Sequence, residues 1–448
     1  MIIFLYHQTA REFRAKMWAA HQFALQFGAA AVARTSHLDR VLEALPGQHA
    51  VVEVALTSNR AERFLKLRSR GHTTLSFDEE ATAQVTQSEI RREALGPLGP
   101  DLVLLLGPHH LAQLEPFLHQ TGQGSEIVGH PRFDVMRPTF SDYFRSEFDV
   151  GEPFSLHVLT PANIVPGEER RAYKRLLANL SRKQEKAVML RRSVGASSSD
   201  FARPPLWAEF LNEQQLRLED LRVQLGIART LRDELGLNPI LRPRLQVEPR
   251  VLRKQLQVAG FSSRDRATMR IVRSVSLSSL IHAADCVLSF GCTSAIESLI
   301  ANKQVLHVDA PHRDFSRQSA ITMQIGMRVS DGASAIKALE AGSSGEGYGI
   351  TQLSESLQVQ DLSTKRLLSA LLESDLTEPL SNTAKHRVEQ RMYLGHVAKQ
   401  RLVDRFRSAN HHSAHSTDAI AAVNWLNQFS DRHVSIMRPT SESFLLIT

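Results

Sequence analysis

The feature that most constrains this chain is a repeated alternation of short apolar runs with longer amphipathic stretches. In its first third, strands are predicted at 2–6, 51–56, 73–77, 102–106 and 127–128, and helices at 12–27 and 60–69. Apolar runs this short suit strands buried on both faces. Strands that alternate with helices favour a parallel sheet covered by helices on both sides.

A second series of the same kind follows. Strands are predicted at 154–159, 239–241, 271–275, 286–290 and 305–308, and helices at 168–186, 207–235, 278–284 and 294–301. Residues 193–205 are predicted to form a loop, and Gly236 is a plausible C-cap for the helix before it. The chain is therefore predicted to contain two α/β halves.

The length of 448 residues is consistent with two or three domains. We place their boundaries at 1–150, 151–340 and 341–448. The last segment opens with a glycine- and serine-rich stretch at 341–347 and continues with predicted helices at 386–407 and 417–429. We expect it to be a helical C-terminal extension packed on the second half.

Composition narrows the class of protein. Lys and Arg number 54 against 47 Asp and Glu, a net charge of +7, which favours anionic ligands without indicating a nucleic-acid partner. Two cysteines exclude a disulfide scaffold, and no window supplies the ~20 apolar residues of a membrane span. We expect no secretion signal at the N-terminus and a cytoplasmic protein, and leave peripheral contact with the inner face of the membrane open.

The strongest local signal is the segment from Ser289 to Glu297. An apolar strand ends there, Gly291 permits a tight turn, and Cys292, Thr293 and Ser294 lead into a predicted helix. A helix N-terminus that follows such a turn can bind phosphate, and Glu297 could reach ribose hydroxyls. Ordinary helix capping explains the same residues equally well.

A second segment, Gly129-His130-Pro131-Arg132-Phe133-Asp134, closes the first half after a short strand. Arg132 and Asp134 could form an ion pair within a structural turn, or they could face a cleft. Ligands of open α/β sheets bind at the carboxyl ends of strands, which is where this turn is expected.

Two further groups follow predicted strands. Asp78, Glu79 and Glu80 are clustered carboxylates suited to acid–base chemistry or to a solvated loop. Arg242 and Arg244 suit a phosphate clamp or a basic surface pair.

No phosphate-binding P-loop, serine-nucleophile elbow or C-x-x-C metal-ligand spacing is found in the sequence. We therefore expect no metal and no cofactor. The adjacent pairs His109-His110 and His411-His412 are interpreted as surface or loop residues.

Taken in order, these segments resemble the bacterial surface-carbohydrate (surface polysaccharide) biosynthesis proteins, which are similar to GT-B-fold glycosyltransferases. The resemblance covers residues 1–312. It rests on Arg11-Glu12-Phe13 with Ala15-Lys16, Gly71, Phe77-Asp78-Glu79-Glu80, Gly107, Gly129-x-Pro131-Arg132-Phe133-Asp134 with Arg137-Pro138, and Cys292-Thr293-Ser294-Ala295-Ile296-Glu297. It implies two Rossmann-like halves facing a cleft.

The resemblance also implies roles for the candidate residues. The second half would bind a nucleotide-sugar donor through Arg242, Arg244, Gly291, Cys292, Thr293, Ser294 and Glu297. The first half would receive a glycan or lipid-linked acceptor near the catalytic candidates Arg11, Glu12, Asp78 and Glu79 and the cleft residues Gly129, Arg132 and Asp134. The implied activity is transfer of a hexosyl or acidic sugar, with a carboxylate as base or nucleophile.

Two departures from the family pattern bear on catalysis. Arg242-Pro243-Arg244-Leu245 stands where the family has Arg-Pro-His-Pro, so a histidine expected near the donor phosphate is replaced. Ala81 replaces the glycine that follows Asp-Glu-Glu. A catalytically degenerate binding subunit of a polysaccharide-assembly complex is therefore an alternative, as is a sugar-nucleotide 2-epimerase of the same fold.

Overall fold

The structure is a computed structural model with two compact α/β units. It describes residues 1–7, 9–45, 47–57, 60–78, 94–148, 151–159, 166–193, 206–243, 247–309, 321–322, 325–341, 353–354, 357, 359, 362–373, 427, 435–440 and 443–447. The first unit contains the described residues up to 135 and those from 357 onwards, and the second contains those between 136 and 354.

The first unit begins with alternating strands and helices. They are β1 (Ile2–Tyr6), α1 (Thr9–Phe27), β2 (Ala29–Arg34), α2 (Leu38–Ala44), β3 (Ala50–Glu53), α3 (Ala61–Arg68), β4 (Thr73–Phe77), β5 (Leu102–Leu105), α4 (Pro108–Thr121), β6 (Gly124–Ile127) and α5 (Pro131–Asp134). The six strands are parallel in the order β2-β1-β3-β4-β5-β6. Their carboxyl ends therefore share one edge of the sheet.

Strand β1 forms the centre of this unit. All five of its residues are buried, as the uninterrupted apolar run requires for a strand covered on both faces. Helix α1 packs on β1 and β2, and the ring of Phe23 meets that of Phe4 at 5.4 Å.

The second unit repeats the pattern. Its elements are α6 (Ser141–Arg145), β7 (Phe154–Leu159), α7 (Glu169–Ser193), α8 (Trp207–Leu235), β8 (Asn238–Pro243), α9 (Pro249–Val258), α10 (Ser263–Thr268), β9 (Arg270–Ile271), α11 (Leu277–Ala283), β10 (Cys286–Ser289), α12 (Ser294–Ile300), β11 (Gln304–Val308), β12 (Met327–Val329) and α13 (Gly332–Glu340). The sheet is parallel throughout, in the order β12-β11-β10-β7-β8-β9.

Helix α8 ends as the sequence predicts. Gly236 adopts a left-handed conformation with φ of 68°, and its N–H donates to the carbonyls of Leu231 and Arg232. The apolar side chains Leu225, Ile227 and Leu231 of this helix are buried in the second unit.

The C-terminal segment differs from the expected arrangement. It supplies α14 (Ser363–Glu373), β13 (Ser435–Thr440) and β14 (Ser443–Ile447), and all three belong to the first unit. Strand β14 pairs antiparallel with β2, and β13 pairs with β14. The expectation of a helical extension packed on the second half is corrected here, because the edge of β2 is completed by C-terminal strands.

The division into units also differs from the expected boundaries. The first unit gives way to the second after residue 135 rather than 150, and residues from 357 onwards return to the first. The predicted tail helices at 386–407 and 417–429 lie outside the described residues apart from Asn427. No helix in the described part of the chain is long and apolar enough to cross a membrane.

Candidate active site

Asp78 follows β4 at the carboxyl edge of the first sheet, beside a buried histidine. Its Oδ2 lies 3.9 Å from Nε2 of His110, and both side chains are buried. The N–H of Leu106 donates to His110 Nδ1 at 3.3 Å. Because Nδ1 accepts that bond, the neutral ring carries its proton on Nε2, which faces the carboxylate.

The prediction that His110 is a surface or loop residue is wrong. His110 lies in the first turn of α4, where Gly107 and Pro108 turn the chain after β5. Strands β4 and β5 are adjacent, with Phe77 opposite Leu104, so the turn after one lies beside the end of the other. Its neighbour His109 is half-buried.

Phe77, the residue before Asp78, lies between a cation and an imidazole. Nζ of Lys16 lies 4.5 Å from the ring centroid, and the ring of His130 lies 4.9 Å away. Lys16 is fully buried on α1. An ammonium over an aromatic face is stabilised by the ring quadrupole, which offsets part of the cost of removing it from water. The sequence analysis assigned no function to Lys16 or His130.

The other catalytic candidates of the first unit have different surroundings. Glu12 is buried, and its Oε2 accepts a hydrogen bond from the N–H of His7, just before α1 begins. This contact fits the helix-capping role of a glutamate in a first turn. Arg11 lies in the first turn of α1. Glu79 and Glu80 lie outside the described residues.

The predicted turn after β6 forms as expected. Gly129 has a left-handed φ of 80°, which favours glycine, and His130 Nδ1 accepts a hydrogen bond from the N–H of Arg132. Arg132 is buried on the short helix α5. The segment thus brings a guanidinium and an imidazole to the same edge as Asp78.

Asp134 has a structural role within the first unit. Its carboxylate is fully buried and accepts hydrogen bonds from Trp18 Nε1 at 3.3 Å, from the N–H of Ser363 at 2.8 Å and from Thr364. These contacts tie the first turn of α14 to α1 and α5. Burial raises the pKa of Asp134 against the opposing effect of its hydrogen bonds.

In the second unit, the predicted phosphate-binding turn joins β10 to α12. Gly291 is left-handed with φ of 58°. The thiol of Cys292 contacts the hydroxyls of both Ser289, at 3.3 Å, and Ser294. Thr293 occupies the N-cap position, but its side chain makes no capping hydrogen bond to a described residue. The backbone N–H groups of the first turn of α12 therefore donate no capping hydrogen bond to the Thr293 hydroxyl.

Ser294 and Glu297 lie on the buried side of α12. Both side chains are less than 5% exposed, at 2% and 3%. Cys292 and Thr293 are half-buried and so form the accessible part of the turn.

Arg242 lies at the carboxyl end of β8 and is buried. Its Nη1 donates to the carbonyls of Val272 and Arg273, at 3.3 and 2.9 Å. Burial and the nearby Arg273 lower its pKa to about 10, so it remains charged at neutral pH. This guanidinium therefore braces the chain at the end of β9. Arg244 lies outside the described residues.

A buried histidine beside the turn was missed by the sequence analysis. His307 on β11 is paired in register with Ser289, so the two side chains project from the same face of the sheet. It is 1% exposed, and neither ring nitrogen has a hydrogen-bond partner among the described residues. Burial, with Arg328 nearby, lowers its pKa to about 4.

Among the described residues, no group of three or more His, Cys, Asp or Glu side chains could hold a metal ion. Both cysteines are free thiols. Burial raises the pKa of Cys286 to about 12, so this thiol is inert.

No protein-family model matches the sequence, and no curated protein matches it. Solved structures are similar in fold. The wall teichoic acid polymerase TagF aligns at 10% identity over 85% of this chain and 90% of that one, with a TM-score of 0.53. A TagF variant soaked with CDPG aligns at 11% identity over 84% and 88%, with a TM-score of 0.50.

S. aureus MnaA, solved with UDP, aligns at 12% identity over 85% of this chain and 98% of that one, but its TM-score of 0.47 is too low to support a shared fold. The likeness to TagF and the two parallel sheets confirm the predicted GT-B-like α/β fold. At 10% identity it shows the fold alone.

Proposed function

We propose that this protein is a GT-B-like glycosyltransferase of surface-polysaccharide biosynthesis that uses a nucleotide-activated sugar. The observation that carries the proposal is the buried Asp78–His110 pair, which lies at the carboxyl edge of a parallel sheet. Ligands of such sheets bind at that edge. The fold shared with TagF, a polymerase of a cell-wall polymer, supports a transferase.

In the proposed reaction, an acceptor hydroxyl attacks the anomeric carbon of the donor sugar. The new C–O bond forms as the bond to the donor phosphate breaks, and the electron pair leaves with the nucleotide. Asp78 accepts the proton of the hydroxyl. As a nucleophile it would instead displace the nucleotide to form a glycosyl ester, and the acceptor hydroxyl would then displace Asp78 and give its proton to the nucleotide phosphate. His110 borders the carboxylate, with Nε2 at 3.9 Å from Oδ2, and would restrict its orientation, and Lys16, His130 and Arg132 would face an anionic glycan or lipid-linked acceptor.

The donor is assigned to the second unit. The backbone N–H groups of the Gly291–Ser294 turn would hold its phosphates at the carboxyl end of β10, where the left-handed Gly291 makes the turn into α12. Arg242 and Arg244 would add positive charge, and Glu297 would bind the ribose. No metal or other cofactor is needed for this arrangement.

Calorimetric titration with CMP-, UDP- and GDP-compounds tests the donor assignment. We expect one class to bind in a manner that depends on Thr293. Absence of binding by all three classes would refute the glycosyltransferase. Incubation with UDP-N-acetylglucosamine, followed by NMR, separates it from the epimerase, which would release the 2-epimer without any acceptor.

A degenerate binding subunit is the second candidate, and the replacement of the family's histidine by Arg244 favours it. An arginine supplies charge but does not donate a proton at neutral pH. This alternative predicts nucleotide binding and copurification with a glycosyltransferase or exporter, without sugar transfer by this chain.

A further inference from the structure

The positive charge of this protein is concentrated on one helix. Helix α7 carries nine Lys or Arg residues and two Glu residues, a net charge of +7, which equals the net charge of the whole chain. The remaining residues are therefore neutral in sum. The helix boundaries therefore locate an excess of charge that composition gives only as a total.

The described side chains of α7 are open to solvent. Arg170, Arg171, Lys174 and Arg175 are exposed, and none of the described positions of the helix is fully buried. Lys174 and Arg175 form no ion pair with described residues, in contrast to Arg217 on α8, which bonds to Glu213 at 2.7 Å. The basic face is therefore uncompensated along the first half of α7.

The opposite side of α7 is apolar and only half-covered. Leu176, Leu177 and Leu180 recur at helical spacing and are half-buried. An open groove of about 370 Å³ is lined by Leu176, Asn179, Leu180 and Arg182. Over residues 169–182, helix α7 thus combines a basic face with an apolar face, as helices that lie in a membrane interface do.

An aromatic cluster extends this surface to the start of α8. Tyr173 meets the rings of Trp207 and Phe210 at 5.1 and 5.2 Å. Leu206, Trp207 and Leu211 are 52%, 37% and 37% exposed, which makes them half of the six exposed large apolar side chains in the described chain. Exposed Trp and Tyr beside Lys and Arg are typical of proteins that sit at the headgroup level of a bilayer.

We propose that α7 and the start of α8 form a docking surface for an anionic lipid membrane. The Lys and Arg side chains would bind lipid phosphates, while Trp207 and Leu211 would enter the interface. A nucleic acid would use the charge but not the exposed leucines, so the lipid surface fits both properties. The carboxylates at the start of α8 add little repulsion toward an anionic surface. Glu209 accepts a hydrogen bond from the N–H of Leu206, and Glu213 accepts one from Arg217.

This inference rests on the proposed function only in its expectation of a lipid-linked acceptor. Vesicle binding is measured without donor or acceptor, and nucleotide binding is measured without vesicles. A failure of either result therefore leaves the other interpretable.

The test is flotation of the full chain with vesicles of phosphatidylcholine alone and of an equimolar mixture with phosphatidylglycerol. We expect binding to the mixed vesicles only, with loss of binding at about 1 M salt, where charges are screened beyond about 3 Å. Lys174→Gln with Arg175→Gln should weaken partitioning by about 25-fold, because each basic residue near an anionic surface contributes about fivefold. Trp207→Ser with Leu211→Ser should also weaken it.

The matched control is Arg253→Gln with Lys254→Gln, which removes the same charge from the exposed face of α9. It should bind vesicles as the wild type does. Three results would each overturn the proposal. The control and the α7 variant could lose vesicle binding equally, the wild type could bind neutral vesicles as well as the mixed ones, or it could bind duplex DNA but no vesicles. Because Lys174 and Arg175 are exposed, their replacement leaves folding intact, and circular dichroism verifies this.

Discussion

Asp134 accepts hydrogen bonds from both the backbone N–H and the hydroxyl of Thr364, each at 3.0 Å, across 230 residues of sequence. With Ser363 and Trp18, Thr364 surrounds a carboxylate that is removed from water. The C-terminal segment is thus joined to the Gly129–Asp134 segment of the first unit by a buried carboxylate and not by apolar packing alone.

Asp134→Asn should destabilise the first unit by about 1–3 kcal/mol, because an amide nitrogen cannot accept the bonds that one carboxylate oxygen receives. Urea denaturation at neutral pH measures this. Glu126→Gln, a similar change at an exposed position of β6, serves as the control and should be neutral. Equal stability of the two variants would contradict the anchoring role.

His110→Asn should lower the rate of sugar transfer while leaving nucleotide affinity unchanged, since the donor is assigned to the second unit. Asp78→Asn should lower the rate of sugar transfer by about 100-fold or more, because it removes the proposed general base. His110→Asn should also change the pH–rate profile, because the imidazole orients the titrating carboxylate. The control is His109→Asn, which alters the neighbouring half-buried residue of the same helix.

The sequence predicted the buried strands best. The runs at 2–6, 73–77 and 154–159 match β1, β4 and β7, because continuous apolar residues bounded by polar turns have few alternatives. Strand β2 was missed. Its sequence Ala-Ala-Ala-Val-Ala-Arg holds a single β-branched residue, Val32, and no aromatic one, so it carries a weak strand signal, and its conformation is fixed by pairing with β1 and β14.

The site was predicted less completely than the fold. Asp78 and the Gly291 turn were found because they follow recognisable strands. His110 lies 32 positions after Asp78 and meets it only because β4 and β5 are neighbours, which strand order determines. His307 is similar, since its proximity to Ser289 depends on the pairing of β10 with β11.

Thr293→Asp should weaken nucleotide binding while preserving the fold. Thr293 is the half-buried N-cap of α12, where aspartate is favoured, whereas Ser294 is buried and would tolerate charge poorly. A carboxylate about 4 Å from a donor phosphate costs about 4 kcal/mol at an effective dielectric of 20. Calorimetry should show loss of binding for Thr293→Asp and retention for the neutral Thr293→Asn. Unchanged affinity in both would remove the turn from the site.

His307 should make the protein sensitive to mild acid. Its pKa falls to about 4 in the folded state from an ordinary value of 6.5, so the unfolded chain binds more protons between these values. His307 alone therefore lowers the free energy of unfolding by about 2 kcal/mol between pH 7 and pH 5, because the unfolded chain gains the proton and the folded chain does not. When urea denaturation is compared at pH 7 and pH 5, the His307→Leu variant should lose less of its free energy of unfolding than the wild type does. His119→Leu, at an exposed position of α4, should leave it as in the wild type.

Arg244 decides between the enzyme and the degenerate subunit. If it clamps the donor phosphate, Arg244→Ala should weaken donor binding by about 1.5–3 kcal/mol, the contribution of a charge-assisted hydrogen bond. Arg244→His should recover part of this, and more at pH 6 and below, where imidazole is charged. Arg253→Ala, which removes an exposed guanidinium from α9, is the control and should bind donor normally.

Complementation of polysaccharide production by Arg244→Ala, Asp78→Asn and Glu79→Gln completes the test. Full complementation by all three would exclude the enzyme and leave the binding subunit, whereas loss with Asp78→Asn alone would keep the carboxylate chemistry and dismiss the clamp.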